Sequence, residues 1–232
     1  IWAQARAANR FEEFSPVVET ILRLKREEAA CLKLDGDTLY DALLDGFEPG
    51  MRVSVLQPLL EGLRPRLSSL RQSIWEARKP APELNGPFPR AAQLDLARKV
   101  ASALGYDWKA GRLDESTHPF SSGTANDARI TTRIDENEPL GCLYSTVHEI
   151  GHALYEQGIT EDLGLTPVSN HVSLGVHESQ SRFWENQIAR SDDFSQWLYP
   201  AMVEEFGTMN VDNPEALHAA VNRVETGYIR TE

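Results

Sequence analysis

Two histidines four residues apart flank a glutamate in the run His148-Glu149-Ile150-Gly151-His152. On a helix that spacing puts both imidazoles on one face about one turn apart, where two ring nitrogens can reach a single Zn2+ at roughly 2.0–2.1 Å. Glu149, beside the first of them, is placed to take the proton of a water polarised by the metal, which is the chemistry of a metal-assisted hydrolase. A catalytic zinc needs a third protein ligand and an open position for water or substrate. The later run Gly175-Val176-His177-Glu178-Ser179-Gln180-Ser181-Arg182 offers two rivals, Glu178 and His177. Adjacent residues of a helix point in different directions, so only one of them can face the ion. Glu178 shares an i, i+4, i+7 face with Arg182 and Glu185, which makes it the better candidate and leaves Arg182 or Glu185 to orient ligands by hydrogen bonds.

These residues need helices to hold them, and the surrounding sequence provides the pattern. Apolar periodicity runs through Leu140 to Gln157, and a second helical pattern carries Glu178. Upstream, Ser15 and Pro16 make a good helix start, followed by an apolar stripe of Val17, Val18, Ile21, Leu22 and Leu24. Leu56, Leu60, Leu63, Leu67, Leu70 and Ile74, spaced four and three, predict the seam of a helix packed against a neighbour. Pro58 and Pro65 inside that seam predict a kink or two consecutive helices. Prolines and Gly86 mark a loop from Lys79 to Pro89, after which Leu94, Ala97, Val100 and Leu104 form a short helix ended by Gly105. Between Thr117 and Glu138 the chain turns polar, and Ile130, Thr132 and Ile134 alternate with Arg129, Thr131 and Arg133 as in a half-buried strand. The expectation is a mainly α fold with a small β-sheet element beside the His-Glu-x-x-His helix. Residues 1–80 would form an N-terminal helical layer and 90–232 the metal-site portion of one catalytic domain.

Composition narrows the partners. The 232 residues carry a formal net charge of -12 and no Lys/Arg-dense block, which argues against a nucleic-acid backbone and favours peptides or small molecules. No apolar run reaches the roughly 20 residues of a bilayer span, so no membrane partner is expected. Cys31 and Cys142 cannot build a disulfide framework, and such sparse cysteine fits a reducing, cytoplasmic compartment. The first ten residues lack the layout of a signal peptide.

Beyond the metal motif, an ordered set of segments resembles the thermostable carboxypeptidase, or carboxypeptidase Taq, family. The set is His118-Pro119-Phe120, Asp127-Ala128-Arg129-Ile130-Thr131, His148-Glu149-Ile150-Gly151-His152, His177-Glu178-Ser179-Gln180 and Ile229-Arg230-Thr231-Glu232. Tyr40-Asp41-Ala42-Leu43-Leu44-Asp45 with Glu48-Pro49-Gly50-Met51 also looks like that family. The resemblance implies a zincin-like helical metallopeptidase that acts as a homodimer and removes C-terminal residues from peptides with a free C-terminus. One divalent metal per chain is implied, usually zinc, with another such as Co2+ as the alternative. Carried over by position, it makes His148, His152 and Glu178 metal ligands and Glu149 the general base. It places His118, Asp127, Arg129 and Thr131 around the substrate cleft and Arg230 near the substrate carboxylate. Members of that family are about twice this length, so the resemblance also implies a partial chain lacking cleft residues of a later segment.

Physical chemistry fits an exopeptidase, because recognising a chain end requires a group that binds a free carboxylate, and arginine does so through paired charge-assisted hydrogen bonds. Arg129 and Arg230 are the candidates, each with a structural ion pair as its alternative. His118 is a candidate oxyanion donor, and the strand near Arg129 to Ile134 could accept substrate backbone at a sheet edge. Two other readings stand beside this one. The chain could be an endopeptidase or aminopeptidase of the broader His-Glu-x-x-His class, or a catalytically silent metal-binding fragment.

Overall fold

The computed structural model describes residues 1–124, 126–164 and 166–224. The chain divides into two units, Ile1–Ser73 with Ser173–Gly175, and Ile74–Val172 with Val176–Glu232. Among the described residues no helix is long and apolar enough to cross a membrane.

The first unit is built from helices α1 (Trp2–Ala7), α2 (Phe11–Leu32), α3 (Leu39–Leu44) and most of α4 (Val53–Ala77). Asp41 organises its turn region. The Asp41 carboxylate accepts from the backbone N–H and hydroxyl of Thr38 while the Thr38 hydroxyl accepts from Asp41 N–H, a reciprocal cap that starts α3. The other Asp41 oxygen accepts from Val53 N–H at 2.7 Å, which fixes the start of α4 to the same residue. The three hydrogen bonds that the carboxyl accepts hold this buried group below its ordinary pKa, the Val53 bond foremost. Ser173–Gly175 join this unit through Leu174 N–H to Phe47 O at 2.8 Å.

Two expectations for these helices are corrected. α2 begins at Phe11, so Ser15 and Pro16 lie inside its first turns and not at its start. The Leu56–Ile74 segment is a single helix with Pro58 and Pro65 within it, not two helices in succession. The helix survives because the carbonyls robbed of donors, on Ser54 and Glu61, belong to exposed residues and can turn to water. The seam is also not a packed one. Leu60, Leu63, Leu67 and Leu70 are about half exposed, and no residue of α4 is buried. Helical periodicity reports an apolar face but not whether the same chain covers it.

The second unit contains α5 (Arg90–Ala103), strands β1 (Leu113–Glu115), β2 (Ser121–Thr124) and β3 (Asp127–Thr132), then α6 (Pro139–Gln157). It continues from Val176 through α7 (Leu174–Arg182), a π-helical stretch at Phe183–Ile188, α8 (Asp192–Phe206) and α9 (Pro214–Val221). The mainly helical expectation holds, and the small sheet does lie against the metal-motif helix. β3 is the central strand, parallel to β1 with Leu113 opposite Ile130, and antiparallel to β2 with Ser121 opposite Ile130. An edge role for β3 is therefore excluded: both of its sides already carry strands, and among the described residues the open edges belong to β1 and β2.

α6 is the helix around which this unit is organised. Glu138 caps it by accepting from Leu140 N–H at 3.0 Å and Gly141 N–H at 2.6 Å, and Pro139 fits the first helical position where no donor is needed. One face places Leu143, Tyr144 and Val147 in a helical core with Leu96, Leu198 and Met202. Further along the helix Ile150 and Ala153 are buried with Ile130 and Leu113 of the sheet. Thr146 ties the two layers, donating to Cys142 O at 2.7 Å and bonding the Thr132 hydroxyl of β3 at 3.0 Å. A helix packed into both clusters can hold polar side chains at fixed positions on what remains of its surface.

Candidate metal centre

His148 and His152 project from α6 toward α7, where Glu178 meets them. His148 Nε2 lies 3.5 Å and His152 Nε2 3.2 Å from Glu178 Oε2. Ligands about 2.05 Å from a tetrahedral ion are roughly 3.3 Å apart, so the two contacts match the spacing of a zinc coordination sphere. These three form one of two groups, among the described residues, whose ligand atoms lie close enough to hold an ion together. Glu178 and not His177 meets both Nε2 atoms.

The close approach of α7 to α6 is set by Gly151, between the two histidines. A Cβ there would lie 2.5 Å from Ser181 Cα and 2.9 Å from Gln180 O, contacts that real side chains do not make. Gly151→Ala must therefore push α7 outward and carry Glu178 away from the imidazoles. We expect it to weaken zinc affinity by roughly 10- to 100-fold, the range found when ligand support is lost, as measured by competition with a chromogenic chelator. Unchanged affinity would show that α7 yields without moving Glu178.

Each imidazole is held from its far side. His148 Nδ1 is 3.0 Å from Glu185 Oε2, and Glu185 is only 3% exposed. Arg182 and Arg190 reach the same carboxylate at 3.2 and 3.6 Å. Burial raises the pKa of Glu185, but the bond to His148 and the neighbouring charges outweigh it and leave the carboxylate favoured. Glu178 is held by Arg182 Nε at 2.8 Å and by the Ser181 hydroxyl at 3.1 Å. Its pKa is also lowered, since the burial penalty is outweighed chiefly by His148 and Arg182. The π-helical stretch after Arg182 shifts the rotational phase of the helix just where Glu185 must turn toward His148.

His152 is supported by a chain of contacts that the sequence reading did not find. His152 Nδ1 is 2.6 Å from His177 Nδ1, and His177 Nε2 is 2.9 Å from Glu156 Oε1. An ion on His152 Nε2 leaves that ring's proton on Nδ1, so His177 accepts there and donates its own Nε2–H to Glu156. The signal for Glu156 was available: positions 148, 152 and 156 continue one helical face in steps of four. Burial, together with the neighbouring His177 and His148, depresses the pKa of His152 and favours the neutral ring that ligation requires.

Glu149 is 7% exposed, and burial lifts its carboxyl to about 7, with His148 opposing and Glu178 and Glu185 adding to the rise. A carboxyl raised in the folded state binds more protons than it does unfolded, so its contribution to stability falls as pH rises from about 4.5 to 7. His152, depressed when folded, contributes the opposite slope as pH approaches its ordinary value of 6.5. Metal-free Glu149→Gln should thus gain stability relative to wild type progressively between those pH values, read from urea unfolding. A difference independent of pH would mean that Glu149 titrates normally.

The other candidate residues are differently placed. Arg129 donates through Nε and Nη2 to Asp127 at 2.7 and 2.8 Å, so both are already paired, with each side chain about half exposed. Thr131 is buried, and its hydroxyl accepts from Phe120 N–H at 2.9 Å and bonds the Ser116 hydroxyl at 2.7 Å, bracing the sheet. His118 is exposed on the β1–β2 connection, where its carbonyl accepts from the Ser116 hydroxyl. Arg230 lies outside the described residues.

The family model described as carboxypeptidase Taq (M32) metallopeptidase matches residues 1–232. Thermostable carboxypeptidase 1 of Thermus thermophilus is 42% identical over the whole of this chain and 48% of its own length. The protein of the same name from Pyrococcus furiosus is 37% identical, again over all of this chain and 47% of its own. Metallocarboxypeptidase 1 of Trypanosoma cruzi superposes with a TM-score of 0.84 at 35% identity, covering 98% of this chain and 46% of that one. An M32 carboxypeptidase from Deinococcus radiodurans gives 0.79 at 36% identity, covering 95% and 45%. The chain spans about half the length of the curated relatives it matches. The full match to the family model, over a helix pair that gathers His148, His152 and Glu178, shows that this chain belongs to the carboxypeptidase Taq (M32) family of metallopeptidases.

Proposed function

We propose that this chain carries the zinc-binding part of a metallocarboxypeptidase that hydrolyses the C-terminal peptide bond of peptides. The observation that carries the reading is the convergence of His148 and His152 Nε2 on Glu178 Oε2 at 3.5 and 3.2 Å, with the buried acid Glu149 on the same helix. Two imidazoles and one carboxylate suit zinc, and Co2+ accepts the same donors. Family membership and the printed names of the relatives support the carboxypeptidase assignment.

In this reading His148, His152 and Glu178 hold the ion, which when bound supplies a Lewis acid that brings the pKa of a water toward about 7. Glu149 takes the proton of the attacking water, and a carboxyl poised near neutrality can return it to the leaving amine. Glu185 and His177 keep the two imidazoles aimed. Asp127 competes for Arg129, so we assign the substrate carboxylate to Arg230, with Arg129 and His118 lining the approach.

The test is an N-blocked dipeptide offered with a free carboxylate and with a C-terminal amide. Release of the terminal residue from the acid but not the amide supports the carboxypeptidase reading. Cleavage of both would move the assignment to an endopeptidase, and a requirement for a free amino terminus to an aminopeptidase.

A further inference from the structure

A second ligand set lies against the first. Glu156, His171 and His177 bring one carboxylate oxygen and two imidazole nitrogens within 4.8 Å of one another. His177 Nε2 is 2.9 Å and His171 Nδ1 4.0 Å from Glu156 Oε1, values that straddle the roughly 3.3 Å between zinc ligands. Glu156 and His177 are largely buried, with side chains 12% and 13% exposed, whereas His171 is 35% exposed. That combination gives two fixed donors and one at the surface, through which an ion can enter. Two imidazoles with one carboxylate select a borderline transition metal over Mg2+ or Ca2+, which prefer oxygen alone.

We propose that Glu156, His171 and His177 form a second divalent transition-metal site, antagonistically linked to the first through the contact between His152 and His177. The antagonism follows from counting protons. An ion on His152 Nε2 requires the proton on His152 Nδ1, and an ion on His177 Nε2 requires it on His177 Nδ1. Those two nitrogens face each other at 2.6 Å, a hydrogen bond that holds one proton and not two. When the first site is empty, His152 can carry its proton on Nε2 toward Glu178 and accept from His177, so the second ion meets no opposition. Linkage makes the effect reciprocal, each ion weakening the other by the same factor. The existence of the second site stands on its own residues; its antagonism with the first rests on the function proposed above.

The test is equilibrium dialysis of the chain against buffered free Zn2+, with bound metal read by elemental analysis and folding checked by near-ultraviolet circular dichroism. Wild type, His171→Ala and Glu178→Ala are compared. His171 lies on the surface segment before α7, so its removal leaves both cores intact. The site predicts a second ion in wild type at free zinc above that filling the first and roughly tenfold above that filling the same second site in Glu178→Ala, a coupling within the usual allosteric range. His171→Ala should lose that ion and keep the first, whereas Glu178→Ala should keep it and bind it more tightly than wild type does. Saturation of wild type at a single ion that His171→Ala still binds, or a second ion that survives His171→Ala, would overturn the site. Unchanged second-site affinity in Glu178→Ala would overturn the antagonism. A single wild-type ion lost in His171→Ala but kept in Glu178→Ala would leave this site standing and remove the first.

Discussion

Glutamine in place of Glu149 is expected to leave zinc binding intact and to lower turnover of a blocked dipeptide by about two to four orders of magnitude, the usual contribution of a positioned general base. The two effects separate because Glu149 is not among the three residues that converge. Glutamine keeps the size of the side chain and removes only its capacity to accept and return a proton. The substitution also relieves burial of an ionisable group beside two other carboxylates, so the variant should fold at least as well as wild type near neutral pH. Steady-state rates at saturating substrate, with metal content measured on the same sample, separate lost chemistry from lost metal. A fall of less than tenfold would assign proton transfer to another group.

The second large effect concerns a residue that need not touch the ion. Glu185→Ala removes a carboxylate 3% exposed that faces His148 at 3.0 Å and two arginines at 3.2 and 3.6 Å. Arg182 and Arg190 are 41% and 27% exposed and keep bonds to Glu178 and the Val221 carbonyl, so the loss is below that of a fully buried pair, about 1–3 kcal/mol. His148 also loses the acceptor that fixes its ring, and zinc affinity should fall by roughly 10- to 100-fold. Urea unfolding of the metal-free protein isolates the first effect and chelator competition the second. Glu185→Gln retains an acceptor for His148 without the charge, so it should recover most of the affinity and little of the stability. Equal losses in both variants would mean that the charge alone positions His148.

The legibility of this molecule in its sequence follows the range of the forces involved. Helix spacing is local, so His148, Glu149 and His152 could be placed on one helix and Glu178 on another before any coordinates. The preference for Glu178 over His177 likewise rested on a helical face, and it is Glu178 Oε2 that the structure sets against both imidazoles. Contacts between helices are not local, and no pattern within one helix encodes them. Gly151 appeared as a spacer in a motif, yet it is what allows α7 to approach within contact of α6. His177 and Glu156 support His152 across that same junction, which no periodicity within either helix reveals. The strand at 127–132 is visible from alternation, but alternation reports one buried face and is silent on neighbours, so it cannot tell a central strand from an edge. Pro58 and Pro65 predicted a break by their chemistry, and solvent around α4 removed the penalty.

Metal content of this chain, measured by elemental analysis after exchange into metal-free buffer containing limiting zinc, tests the central claim most directly when wild type and Glu178→Ala are compared. Near one zinc per chain in wild type, and in Glu178→Ala only zinc that the further change His171→Ala removes, is the result that a centre of His148, His152 and Glu178 requires. Zinc retained in full by the double variant Glu178→Ala/His171→Ala would contradict it, and would make His177 the third ligand to test.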